Sequence, residues 1–176
     1  MSVQEKYTEE EWFLIKTTPS LVGSAVAGAG NSGIMGTMKE AMANVRSIME
    51  ANDEYAENPL IGAIVHKPAS REEAKEMASD YKERLMDRMK ENNVTKADEL
   101  AELSLVDVEA ACMLVEERED LEVALEYKNW VFGIGIKVAE AAKEGGFLGF
   151  GGTQVSENEQ AFLERLKVAL CIDEAV

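Results

Sequence analysis

The sequence predicts an all-α, single-domain bundle of about seven to nine helices, and three observations carry that prediction. No segment alternates apolar and polar residues with the two-residue period of a half-buried strand. Ser/Thr-x-x-Glu boxes, which satisfy the orphan amides of a helix start, stand in front of apolar residues recurring every three to four positions. One phrase also occurs twice: Val26-Ala27-Gly28-Ala29, Gly33-Ile34-Met35-Gly36 and Thr37-Met38-Lys39-Glu40 return as Val138-Ala139-Glu140-Ala141, Gly146-Phe147-Leu148-Gly149 and Ser156-Glu157-Asn158-Glu159. The two copies predict a pair of pseudo-symmetric helical hairpins, 19–52 and 121–172, inside one domain spanning 1–176.

Thr8-Glu9-Glu10-Glu11 is a capping box and opens a first helix that should end near Thr17. Pro19 suits the first turn of a second helix, reaching Ala29, because its missing N–H is no loss there. Ser20, Gly23, Ser24, Ala27 and Gly28 give that helix a small-residue face against which a neighbouring backbone can come close. Thr37 to Glu40 caps a third helix with Met38, Met42, Val45 and Met49 as its apolar stripe, ending at Asn52-Asp53. Asn58-Pro59 starts a short apolar segment, Leu60 to Val65, closed by Lys67-Pro68 because the residue before a proline avoids helical geometry.

Ser70-Arg71-Glu72-Glu73 caps an outer amphipathic helix with Ala74, Met77, Tyr81, Leu85 and Met89 on one face. Asn92-Asn93 breaks it. Thr95 then caps a short helix carrying Leu100 and Leu103, and Ser104 caps the next, with Leu105, Val108, Cys112 and Val115 inward and the charged run Glu116 to Asp120 at its end. A long helix follows from Leu121 to Lys143, charged at first and apolar around Trp130 to Ile136. Ser156 caps the last, which runs to Cys171 on Phe162, Leu163, Leu166 and Leu170.

A chain of 176 residues buries roughly two thirds of its unfolded surface, so it requires no covalent staple. Its two cysteines, Cys112 and Cys171, lie in apolar helical stretches and read as buried free thiols. Acids outnumber bases 34 to 18, a formal charge of −16. That charge excludes nucleic acid and anionic membrane surfaces as partners, since both repel it, and leaves a cation or a basic protein permitted. The N-terminus lacks a basic stretch followed by an apolar core, and no apolar run approaches the ~20 residues of a membrane span. A cytoplasmic location is the expectation.

Five glycines fall between Gly145 and Gly152 inclusive, ahead of the helix at Ser156. Backbone amides at a helix N-terminus can cradle an anion. Here no Lys or Arg lies between Lys143 and Arg165, and Glu157 and Glu159 occupy the helix start, so a tight turn plugged by Phe147, Leu148 and Phe150 is the preferred reading. His66 is the only histidine, which excludes a two-histidine zinc site, and neither cysteine has the electropositive setting of a nucleophile. Ser24 and Ser32 lie in no nucleophile elbow, Glu140 and Glu144 read as a solvated face, and neither glycine loop supplies a calcium-binding run of aspartates.

The stretch Lys137-Val138-Ala139-Glu140-Ala141, Gly146-Phe147-Leu148-Gly149-Phe150-Gly151 and Val155-Ser156-Glu157-Asn158-Glu159-Gln160 resembles the tellurite-resistance TerB-like proteins, best over 137–171. The resemblance implies a helical cytoplasmic protein linked to stress response, and in that family acids of the two loops bind metal. Of that ligand set only Glu40 and Glu159 have counterparts. The aspartate signature of the first loop reads Ala29-Gly30-Asn31-Ser32-Gly33, so the resemblance carries the fold further than the metal site.

Together these readings predict a non-enzymatic helical binding or scaffold protein, without a cofactor, that engages a protein partner or a second copy of itself. Phe147, Leu148 and Phe150 are the candidate contacts. The alternative is a divalent-cation sensor using Glu40 and Glu159.

Overall fold

The computed structural model describes residues 2–30, 43–44, 46–51, 53–65, 68–143 and 155–172, apart from the side chains at 74, 77–78, 81–82 and 142–143. The protein is an all-α, single-domain bundle, with no strand among the described residues. A 3-10 turn, Val3–Lys6, precedes α1 (Glu9–Ala29). Helical backbone at 43–44, 46–51 and 53–54 forms α2. There follow α3 (Pro59–Ile64), α4 (Arg71–Glu91), α5 (Ala97–Arg118), α6 (Leu121–Lys143) and α7 (Glu157–Ala169).

Four of these make the core, with α1 and α6 running one way and α5 and α7 the other. At one end Arg118 of α5 forms a two-pronged pair with Glu11 of α1, while at the other a β-carbon on Gly28 would meet the Ala97 β-carbon at 3.4 Å. The Tyr127 hydroxyl reaches the Ile15 carbonyl, and Gly135 lies against Val22, so α6 ascends beside α1. Glu159 at the start of α7 meets Gly30 at the end of α1, which fixes α7 as descending. Ile15, Val22, Val26, Val108, Val115, Tyr127, Ile134 and Leu166 fill the space between them.

Three expectations are corrected. Pro19 does not begin a helix; it sits buried inside α1, which runs unbroken from Glu9 to Ala29, so the first hairpin arm begins ten residues before 19. A proline there removes the N–H that the Ile15 carbonyl would accept. The Tyr127 hydroxyl replaces it at 2.9 Å, and Thr17 and Thr18 hydroxyls add bonds to the Phe13 and Leu14 carbonyls at 2.8 Å each. Likewise the two helices expected at Thr95 and Ser104 are one, α5, with Lys96 at its N-cap. Thr95 donates instead to Glu99, and Ser104, buried mid-helix, donates back to the Ala101 carbonyl. Met49, assigned to an inward stripe, is 55% exposed; its stripe partners Met38, Met42 and Val45 lie outside the described residues.

Close approaches are made at glycine. A β-carbon on Gly23 would fall 2.3 Å from the Asn44 side chain, whose amide donates to the Ser20 carbonyl, and one on Gly135 would fall 3.0 Å from Leu163. Asn58 caps α3, accepting from Leu60 and Ile61 N–H at 3.0 Å, and its own amide donates to Val123 and Glu126 of α6. The outer helix α4 is held by arginines: Arg84 pairs with Glu9 and lies over the Phe13 ring, and Arg88 pairs with Asp107 of α5. Trp130 stands edge-on to Tyr127 in the core, its indole N–H without a hydrogen-bond partner among the described residues.

Candidate functional site

At one end of the bundle Gly30, the C-cap of α1, meets Glu159 in the first turn of α7. Ser156 and Glu159 complete the capping box there: Ser156 Oγ accepts from the Glu159 N–H at 3.2 Å, and Glu159 Oε2 accepts from the Ser156 N–H and Oγ at 2.8 and 2.6 Å. The other carboxylate oxygen, Oε1, is buried and has no hydrogen-bond partner among the described residues. It lies against Gly30, where a β-carbon would stand 2.9 Å away. The last turn of α1 carries no basic residue, so its terminal carbonyls add negative potential beside that oxygen. Such a lining takes a cation or a hydrogen-bond donor and rejects an anion.

Of the candidate contact and metal residues named from the sequence, Glu159 falls at this end. Glu40, Phe147, Leu148, Phe150, Ser32 and His66 lie outside the described residues. Among the described residues no three His, Cys, Asp or Glu side chains gather as metal ligands.

Of the two cysteines, Cys112 is the buried free thiol expected and Cys171 is not buried. Cys112 is buried, and desolvation pushes its thiol up to about 12 despite the nearby Lys128 ammonium. Cys171 is exposed rather than buried, because it follows the last turn of α7 in the left-handed region at φ 50°. Lys128 is itself buried and paired with Glu116. A groove of about 460 Å³ between α1 and α4, lined by Phe13, Leu14, Thr17, Arg84 and Arg88, offers no free cation among the described residues, since both arginines are paired with carboxylates.

A second site was missed by sequence reasoning. Val106 and Met113 on α5, and Val168 on α7, are 59%, 70% and 77% exposed. Val106 and Met113 are seven residues apart and so share one stripe, opposite the inward Leu105, Val108, Cys112 and Val115. Arg165 of α7 grips Glu102 of α5 with two bonds of 2.6 Å. Val106 lies one turn beyond Glu102 and Val168 one turn beyond Arg165, so on parallel helices they fall side by side. Glu102, Glu109, Glu116 and Glu164 are exposed on the same two helices, with Glu102 held by Arg165 and Glu116 by Lys128. The signal was present in the helical spacing, but it was overshadowed by the bulkier Phe147 and Phe150.

Comparison with known protein families, with curated proteins and with solved structures returns no match. Among the described residues no helix is long and apolar enough to cross a membrane.

Proposed function

We propose that this chain is a non-enzymatic helical binding protein whose α5/α7 face engages a protein partner carrying apolar residues flanked by basic ones, as on a basic amphipathic helix. One observation carries the reading: Val106, Met113 and Val168 are open to solvent on adjoining helices that also expose Glu109 and Glu164. A net charge of −16 makes two copies repel, which favours a basic partner over self-association and disfavours nucleic acid. The resemblance to TerB-like proteins supports a cytoplasmic, stress-related setting. The proposal includes an origin in two related hairpins. Gly23 and Gly135 each stand three residues before the repeated Val26 and Val138, and each faces the helix after its loop, at Asn44 and Leu163, seven residues past Thr37 and Ser156.

The test is calorimetric titration with a synthetic Leu/Lys amphipathic helix. Binding that Met113→Glu and Val168→Glu each abolish, while Met86→Glu on α4 leaves it intact, supports the reading. Equal binding by all variants reduces it to diffuse charge attraction and overturns it, as does a dimer of the free protein that Met113→Glu dissolves.

A second reading, a divalent-cation sensor, is favoured by the buried Oε1 of Glu159, which has no hydrogen-bond partner among the described residues. Calcium, magnesium or zinc should then raise the melting temperature of the protein but not of Glu159→Gln. No shift at millimolar metal removes it.

A further inference from the structure

The outer helix α4 meets the bundle through its arginines, and among its described side chains none is buried. Arg84 pairs with Glu9 in the first turn of α1 and lies 5.1 Å from the centre of the Phe13 ring. Arg88, one turn further along α4, gives Nε and Nη2 to the two oxygens of Asp107 on α5, with Nε at 2.8 Å. Asp107 is buried, so the bundle holds a desolvated carboxylate whose counter-charge comes from α4. The groups that receive the arginines, Glu9, Phe13 and Asp107, all belong to α1 and α5.

Two features make α4 an imperfect occupant of that surface. A groove of about 460 Å³ stays open between it and α1, over Phe13, Leu14 and Thr17, where a closely fitting helix would leave no such space. Its charge is also poorly matched. α4 carries seven acids against six bases, and so brings no net positive charge to a chain of formal charge −16. Glu91 of α4 lines the groove together with Glu10 of α1, which sets like charges on its two walls. A helix with the same pair of arginines and no acids would meet Glu9 and Asp107 without that repulsion.

We propose that α4 is an internal occupant of an arginine-reading groove between α1 and α5, and that a partner helix with two arginines one turn apart, and no acids, displaces it. The incoming arginines take Glu9 and Asp107 in place of Arg84 and Arg88, and an apolar side chain between them fills the space over Leu14 and Thr17. The turn 92–96 keeps the displaced α4 tethered to α5. Docked α4 lowers the partner's apparent affinity in proportion to the fraction of molecules in which the groove is filled, which makes it a self-inhibiting contact. The inference does not rest on the Val106, Met113 and Val168 face or on the cation reading.

The probe is a synthetic alanine-rich helix with two arginines four residues apart and a leucine on the same face, added to the full-length protein and followed by calorimetry and hydrogen exchange. Binding should strip exchange protection from residues 71–91 while α5 stays protected. The double variant Arg84→Ala/Arg88→Ala, whose groove is already vacated, should bind the probe about tenfold more tightly. A probe with lysine at both positions should bind about tenfold more weakly, because it lacks the planar fork. Asp107→Asn should abolish binding, and Met113→Glu should leave it unchanged. Binding with α4 still protected, or no binding to either the wild type or the double variant, would overturn the proposal. So would binding that Met113→Glu abolishes and Asp107→Asn spares, since it then belongs to the α5/α7 face. If the double variant does not fold, the exchange protection of α4 in the wild type decides alone.

Discussion

The Tyr127 hydroxyl donates a 2.9 Å hydrogen bond to the Ile15 carbonyl, the one that Pro19, four residues on, leaves without its helical partner. A proline inside a helix ordinarily costs about 3 kcal/mol, and a buried orphan carbonyl accounts for part of that. Tyr127→Phe should therefore cost about 1–3 kcal/mol in a denaturant melt. In a Pro19→Ala background the same change should cost less, because the alanine introduced there supplies an N–H to the same carbonyl. Additive effects in that double-mutant cycle would show that the hydroxyl does not compensate the proline.

At Gly23, α2 comes close against α1. Gly23→Ala places a β-carbon within 2.3 Å of the Asn44 side chain and should destabilise the fold by about 1–3 kcal/mol. Asn44→Ala removes the obstruction along with an amide oxygen that is buried without a partner among the described residues. Thermal melts should find the double variant more stable than Gly23→Ala alone.

Asp107 is almost fully buried, and Arg88 is the group that neutralises it. Arg88→Met should cost about 2–3 kcal/mol, the low end for a broken buried pair because the arginine is a third exposed. Hydrogen exchange should show the loss falling first on α4, which the arginines fasten to the bundle.

The Arg118 guanidinium, followed by the Thr8 N–H, holds the Glu11 carboxyl at about 2, against its usual 4.5. A depressed carboxyl pKa contributes stability that is present above the unfolded value and is lost as pH falls through the folded one. The melting temperature of the wild type should thus fall more steeply between pH 4.5 and 2 than that of Glu11→Gln, and the difference should shrink in high salt. Parallel curves for the two proteins would refute this.

Local signals in the sequence located the helices wherever the cause was itself local. The Thr8, Ser70 and Ser156 caps, the Asn58-Pro59 start and the whole span of α6 are where spacing and capping chemistry place them. Pro19 misled because its compensation comes from a tyrosine more than a hundred residues later, a donor no local window contains. Ser104 misled because a serine that caps in one setting bonds back to its own helix in another. At the candidate site, Glu159 was legible as a capping carboxylate, but the orphaning of its second oxygen depends on the approach of Gly30 from another helix. The exposed valines of α5 and α7 required knowing which stripe of each helix the bundle leaves outside.

Trp130 gives the molecule a colour. Its indole is 2% exposed, with no acceptor for its N–H among the described residues, so its surroundings cannot relax around the excited ring as water does. Native emission should lie toward the blue and move to the red when the bundle opens, making the chain its own optical gauge of folding.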